Sequence, residues 1–130
     1  MTDDLYERGL EIRRAVVGDD YVDRSLAEAD DFTRPLQELV TRYCWGDVWS
    51  RPGLERRERS MINLSMIAAL NRPHELKLHV RGAINNGLTQ DEIREILLQV
   101  AIYAGVPASL DSFRVAKEVF AEMKAMGEMA

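Results

Sequence analysis

Cysteine and histidine are scarce in this chain: its 130 residues hold Cys44 alone and two histidines, His74 and His79. A lone cysteine cannot close an intramolecular disulfide, so the fold has to stand on its hydrophobic core. Two histidines five positions apart, with no cysteine pair and no His-Glu-x-x-His order, make no recognisable set of metal ligands, and no metal is expected. Basic residues are outnumbered, 17 against 22 acidic ones, which leaves a net charge of −5 and no basic cluster. That balance argues against a nucleic-acid surface. It does not exclude a small anionic substrate, because one or two arginines in a cleft bind a carboxylate whatever the sign of the total. Strand-like alternation, a Gly-rich phosphate loop, internal repeats and low-complexity segments are missing as well. With no charged-then-apolar leader and no span of about 18 apolar residues, the chain is expected in the cytoplasm and away from membranes.

What remains is helical. A hydrophobic content of 46% with 30% charged residues is an ordinary globular balance, and the length suits one domain over residues 1–130. Leu5, Leu10, Ile12 and Val16 recur near helical spacing, which predicts an amphipathic helix from Asp3 to Val17, capped by Asp3 or Thr2. Gly18, Asp19 and Asp20 end it, a short connector follows through Val22 and Asp23, and the polar run after Ser25 reads as a broken element. A better helix runs from about Thr33 to Tyr43, with Pro35 in its first turn and Leu36, Leu39, Val40 and Tyr43 as one stripe. The following CWGDVWSRPGL reads as an ordered loop in which Trp45 and Trp49 are either core anchors or pocket walls. Leu54 to Leu70 is apolar on most sides behind the charged ERRERS, as for a central helix buried in the domain or at a subunit interface. Thr89 and Glu92 form a Thr-x-x-Glu capping box for the next helix, which Gly105-Val106-Pro107 stops. A last helix spans about Pro107 to Met126, and it is long enough that part of it can bury in a partner. Short polar connections favour antiparallel neighbours, so the expected architecture is all-α.

Chemistry concentrates in RPHELKLHVRGAINNG, Arg72 to Gly87. Pro73 suits a first helical turn and Gly87 a left-handed end. Between them Glu75 and His79 are four residues apart, on one face of the helix and about one turn from each other. The pair suits acid–base work, although such pairs are also common on solvated helix faces, where they contribute a few tenths of a kcal/mol.

The tracts TRYCWGDVWSRPGL, RSMINLSMIAALNRPHELKLHVRGAINNG and TQDEIREILLQVAIYAGVPAS resemble, in this order, successive signatures of the carboxymuconolactone decarboxylase family. RRAVVGDDYVDRS near the beginning is similar to the γ-carboxymuconolactone decarboxylases in particular. The resemblance implies a compact all-α subunit of about six helices in a ring-like homohexamer. It implies a carboxy-lyase that converts γ-carboxymuconolactone, a small lactone dicarboxylate, to 3-oxoadipate enol-lactone in the protocatechuate branch of aromatic catabolism. The same family includes peroxidase-like disulfide reductases marked by Cys-x-x-Cys followed by histidine. Here the histidine position matches His79, but the cysteine positions match Arg72 and Glu75. The relay glutamate of those redox relatives falls, nineteen residues before the histidine, on Ser60. Thiol redox chemistry is therefore not carried over.

The implied substrate contains its own electron sink, since the electrons left by CO2 flow through the double bond to the lactone carbonyl. No cofactor is needed for that step. His79 is the expected proton donor or dienolate hydrogen-bond donor, oriented by Glu75, because an imidazole titrates near neutral pH. Arg51 or Arg59 would clamp a carboxylate, with Arg81 as a weaker candidate, while Trp45 and Tyr103 would shape an apolar pocket. Two other readings stay open: a decarboxylase or hydrolase acting on another small lactone, and a non-catalytic helical assembly module.

Overall fold

The Asp3 carboxylate accepts a hydrogen bond from the Tyr6 backbone N–H at 3.1 Å and so opens α1 (Asp4–Val17). This computed structural model describes residues 3–130; the alternative cap, Thr2, lies outside them. All regular structure among the described residues is helical, and the chain divides into two compact units, one ending at Glu55 and the other running from Arg56 to Ala130.

In the first unit α1 buries Gly9, Ile12, Arg13, Val16 and Val17. Gly18 then turns the chain at φ +93°, and α2 (Asp19–Ala27) follows at once. A connector was expected here. The helix forms because Asp19 and Asp20 occupy a first turn, where helix N–H groups favour carboxylates. Arg14 also ties the two helices through Asp19 at 3.2 Å and Asp23 at 2.8 Å. The next helix, α3 (Arg34–Leu39), runs directly into a π-helical segment, Val40–Val48. The stripe predicted along it is largely open in this chain, since Leu36, Leu39 and Tyr43 are all exposed.

The π-helical segment corrects the loop expected at CWGDVW. Its wider winding, seen in the Trp49 N–H bonding to Cys44 O at 3.0 Å, hides the tryptophans from a search at 3.6-residue spacing. It lies against α1 at backbone contact. A β-carbon placed on Gly9 would stand 1.8 Å from Thr41 O, and one on Gly46 would stand 2.3 Å from Leu5 O. Neither position has room for a side chain.

The second unit consists of α4 (Arg56–Ala69), α5 (Pro73–Asn85), α6 (Gln90–Tyr103) and α7 (Val106–Ala125). Leu64, Ala68, Leu76, Val80, Ala83, Leu88, Ile93, Leu97, Val100, Ala116, Val119 and Met123 form its core. The turns between helices are set locally. Asn71, at φ +57°, closes α4, with the Arg72 N–H reaching Ile67 O; Gly87, at φ +94°, closes α5, with the Leu88 N–H reaching Ala83 O. The capping box predicted at Thr89 and Glu92 is complete in both directions. Arg57 adds to it by donating to Gly87 O at 2.9 Å and by a bidentate contact with the Glu92 carboxylate, which fixes the start of α6 against α4. The predicted central helix is buried along Ser60, Leu64 and Ala68, but Ile62, Met66 and Leu70 remain exposed within this chain.

Candidate functional site

His79 stands in the middle of α5, between Leu76 and Val80, whose side chains are buried in the core of the second unit. Its imidazole is half-buried, one turn beyond Glu75 in the first turn of the helix. Pro73 at the helix start fixes this phase, since it supplies the helical φ where an N–H would go unused. Burial pulls the His79 pKa below its ordinary value of 6.5, and the Glu75 carboxylate pulls it part of the way back. The imidazole is therefore neutral at rest near pH 7. In that form one ring nitrogen donates and the other accepts.

Around this helix the polar contacts are not those of a thiol relay. Ser60 is 2% exposed on α4, and its hydroxyl accepts from Asn86 Nδ2 at 2.8 Å, a bond that ties α4 to the end of α5. A hydroxyl held this way has no acidic proton to pass at neutral pH. Arg72 caps α5 on the exposed surface, and Glu75 occupies the other position where redox relatives would carry sulfur. Among the described residues no group of three or more histidine, cysteine or acidic side chains is arranged to hold a metal, and no helix is long and apolar enough to cross a membrane.

The other residues singled out from the sequence fall in different places. Arg81 faces α7, where it pairs with Glu122 and Glu128, with Lys77 beside it on Glu122 at 3.0 Å. Those contacts make it a tie between α5 and α7. Tyr103, at 85% exposure, borders an apolar groove of about 450 Å³ between α4 and α6, lined also by Met66, Ile96 and Val100. His79 does not line that groove. Arg59 is half-buried on α4, with interactions of its own. In the first unit Trp45 is 4% exposed and packs on Trp49, with ring centroids 4.8 Å apart and planes tilted by 32°. Arg51 is exposed just after the π-helical segment.

One residue was passed over in the sequence. Arg13 is 4% exposed, the most deeply buried charged side chain among the described residues. The signal was its position: Gly9, Ile12, Arg13, Val16 and Val17 recur at three- and four-residue spacing, so Arg13 lies on the buried stripe of α1. A charge on that stripe is informative in a way that a surface charge is not.

A helical unit carrying a half-buried imidazole beside a carboxylate on one helix, with arginine, glutamate and serine at Arg72, Glu75 and Ser60, places the chain in an all-α class. Comparison with known proteins gives the family. The model for the carboxymuconolactone decarboxylase family matches residues 34–118. The chain is 44% identical over 118 residues to the 4-carboxymuconolactone decarboxylase of Acinetobacter baylyi, covering 91% of this chain and 88% of that protein. It is also 44% identical over 124 residues to the nitrosuccinic acid decarboxylase of Metarhizium robertsii, covering 95% of this chain and 87% of that one. The chain belongs to the carboxymuconolactone decarboxylase family, and within it to the decarboxylases.

Proposed function

We propose that the protein is a cytoplasmic carboxy-lyase that decarboxylates γ-carboxymuconolactone to 3-oxoadipate enol-lactone. The observation that carries this reading is the 44% identity to a 4-carboxymuconolactone decarboxylase across 91% of the chain. The equal identity to a nitrosuccinic acid decarboxylase gives a second reading, nitrosuccinate, and it also defines what the two substrates share. In each, the reacting carbon bears the departing carboxylate, a CH2–COO⁻ arm that stays behind, and an electron sink. The sink is the unsaturated lactone in one case and the nitro group in the other. The substrate class is a succinate substituted by an electron sink.

Catalysis of such a reaction has few requirements. The bond to CO2 breaks, its electron pair moves into the sink, and one proton from water is delivered to carbon. In the lactone it goes to the ring carbon next to the carbonyl, which leaves the new double bond at the carbon that lost CO2, and in nitrosuccinate it goes to the carbon that lost CO2 itself. A neutral His79 supports the step by donating an N–H to the sink oxygen as negative charge develops there. That rising charge increases the basicity of the imidazole, so His79 collects a proton from water and relays it to carbon. Glu75 favours the protonated ring during that transfer.

Assembly as a ring-like homohexamer belongs to the same proposal. It is supported by the apolar side chains left open on α6 and α7, Ile102 at 80%, Leu110 at 59% and Leu98 at 48% exposure. The deciding experiment is product analysis with both substrates supplied separately. Faster turnover of the lactone with stoichiometric CO2 supports the first reading. CO2 from nitrosuccinate alone selects the second, and ring opening without CO2 makes the protein a hydrolase.

A further inference from the structure

We propose that the first unit carries a carboxylate-binding site built on Arg13. A buried guanidinium is costly unless an anion or a full set of acceptors compensates it. In this unit three arginines at the surface are paired with carboxylates: Arg14 with Asp19 and Asp23, Arg34 with Asp31, and Arg42 with Asp3 and Glu38. Arg13, the buried one, has no carboxylate partner among the described residues. Its single hydrogen bond runs from Nη1 to Thr41 Oγ1 at 3.2 Å, and its Cζ lies 5.9 Å from the centre of the Tyr21 ring. The Thr41 hydroxyl gives its own proton to Gln37 O at 2.7 Å, so it can only accept from Arg13. A guanidinium has five N–H donors in a flat fork suited to a carboxylate.

A second observation lies on the same stretch of helix. Gln37 Oε1, one turn before Thr41, is buried without a hydrogen-bond partner. An amide that is turned over would present N–H groups there instead, so the position suits either a protonated or an ionised carboxyl. Three elements therefore meet at Arg13: α1 supplies it, α2 supplies the Tyr21 ring, and the π-helical segment supplies Thr41, with Gln37 one turn before it. The site recognises the carboxylate of a small organic acid. The choice of succinate as its ligand class rests on the function proposed above, because a retained CH2–COO⁻ arm is common to both candidate substrates.

The test uses the full chain and unsubstituted succinate, which has no electron sink and cannot react. Succinate is expected to raise the melting temperature of the wild type by selective binding to the native state. Arg13→Met should remove that response, with affinity lower by about 10–100-fold, as expected for loss of hydrogen bonds from a charged group. Arg13→Met without ligand should melt no lower than the wild type, since an uncompensated buried charge is replaced by an apolar chain of similar length. Arg13→Lys keeps the charge but loses the fork, and about tenfold weaker binding is expected; this variant carries the test if the methionine variant does not fold. A wild type indifferent to succinate, or a variant that binds it equally well, overturns the proposal. So does a methionine variant that melts lower and keeps the full succinate response, because Arg13 is then structural. Failure to release CO2 from either substrate, with Arg13-dependent succinate binding intact, would sink the proposed function and leave this site standing.

Discussion

Substituting Gly9 by alanine tests the packing that holds the Arg13 site. The new β-carbon would stand 1.8 Å from Thr41 O and 2.8 Å from Gly46 N, both backbone atoms that no rotamer change can move. Carbon–oxygen contacts settle near 3.4 Å, so α1 has to retreat from the π-helical segment by about 1.5 Å. The Arg13–Thr41 bond, already 3.2 Å long, then passes out of range. Overpacking costs about 1–3 kcal/mol, and loss of a hydrogen bond from a charged group adds about 1.5–3 kcal/mol. Alanine's better helix propensity returns about 1 kcal/mol. The net loss of roughly 2–5 kcal/mol corresponds to a melting temperature lower by about 6–20 °C for a chain of this length. Thermal unfolding followed by far-ultraviolet circular dichroism measures it. A variant that melts within about 2 °C of the wild type refutes the close approach. Gly46→Ala meets the opposite side of the same contact and should act alike, and the double variant should lose less than the two separate losses together.

Three further outcomes follow from the geometry. Glu75→Gln removes the charge that raises the His79 pKa, so the acid limb of the kcat/KM profile should move to lower pH; a shift to higher pH would contradict the pairing. Because burial holds the folded His79 pKa below the ordinary 6.5, its contribution to stability is complete above pH 6.5 and declines as pH falls toward the folded value. Denaturant midpoints measured from pH 7.5 down to pH 5 should therefore fall less steeply in His79→Gln than in the wild type, and equal slopes would remove His79 as the cause. Arg81→Gln should lower the melting temperature by a few degrees at most, since its pairs with Glu122 and Glu128 are partly solvated and such pairs contribute about 0.2–1 kcal/mol. A large rise in KM for that variant would return Arg81 to the list of substrate contacts.

The second unit was legible in the sequence where local chemistry decides the conformation. Pro73, Gly87, the Thr89–Glu92 capping box and Gly105 each act within a few residues, and the helices begin and end beside them. The Glu75–His79 pair was legible for the same reason, because one helix determines it. The first unit was read less well because its signals are tertiary. α2 is tied to α1 by Arg14 reaching across to Asp19 and Asp23, and the π-helical winding at Trp45 follows no 3.6-residue period. Arg13 was missed because a charge in an amphipathic pattern reads as solvated face, although its spacing from Gly9, Val16 and Val17 puts it on the buried one. Arg81 and Tyr103 stand out in the sequence only by their place near motifs. Spacing along a helix cannot tell that one turns to α7 and the other to a groove between α4 and α6.

The measurement that bears most directly on the central claim is CO2 release from freshly generated γ-carboxymuconolactone by the wild type and by His79→Ala at pH 7. The account predicts one CO2 per lactone consumed by the wild type, and a kcat lower by about 10²–10⁴-fold in a variant that remains folded. Wild-type turnover without CO2 would contradict the decarboxylase reading, and a variant with undiminished kcat would remove His79 from the chemistry.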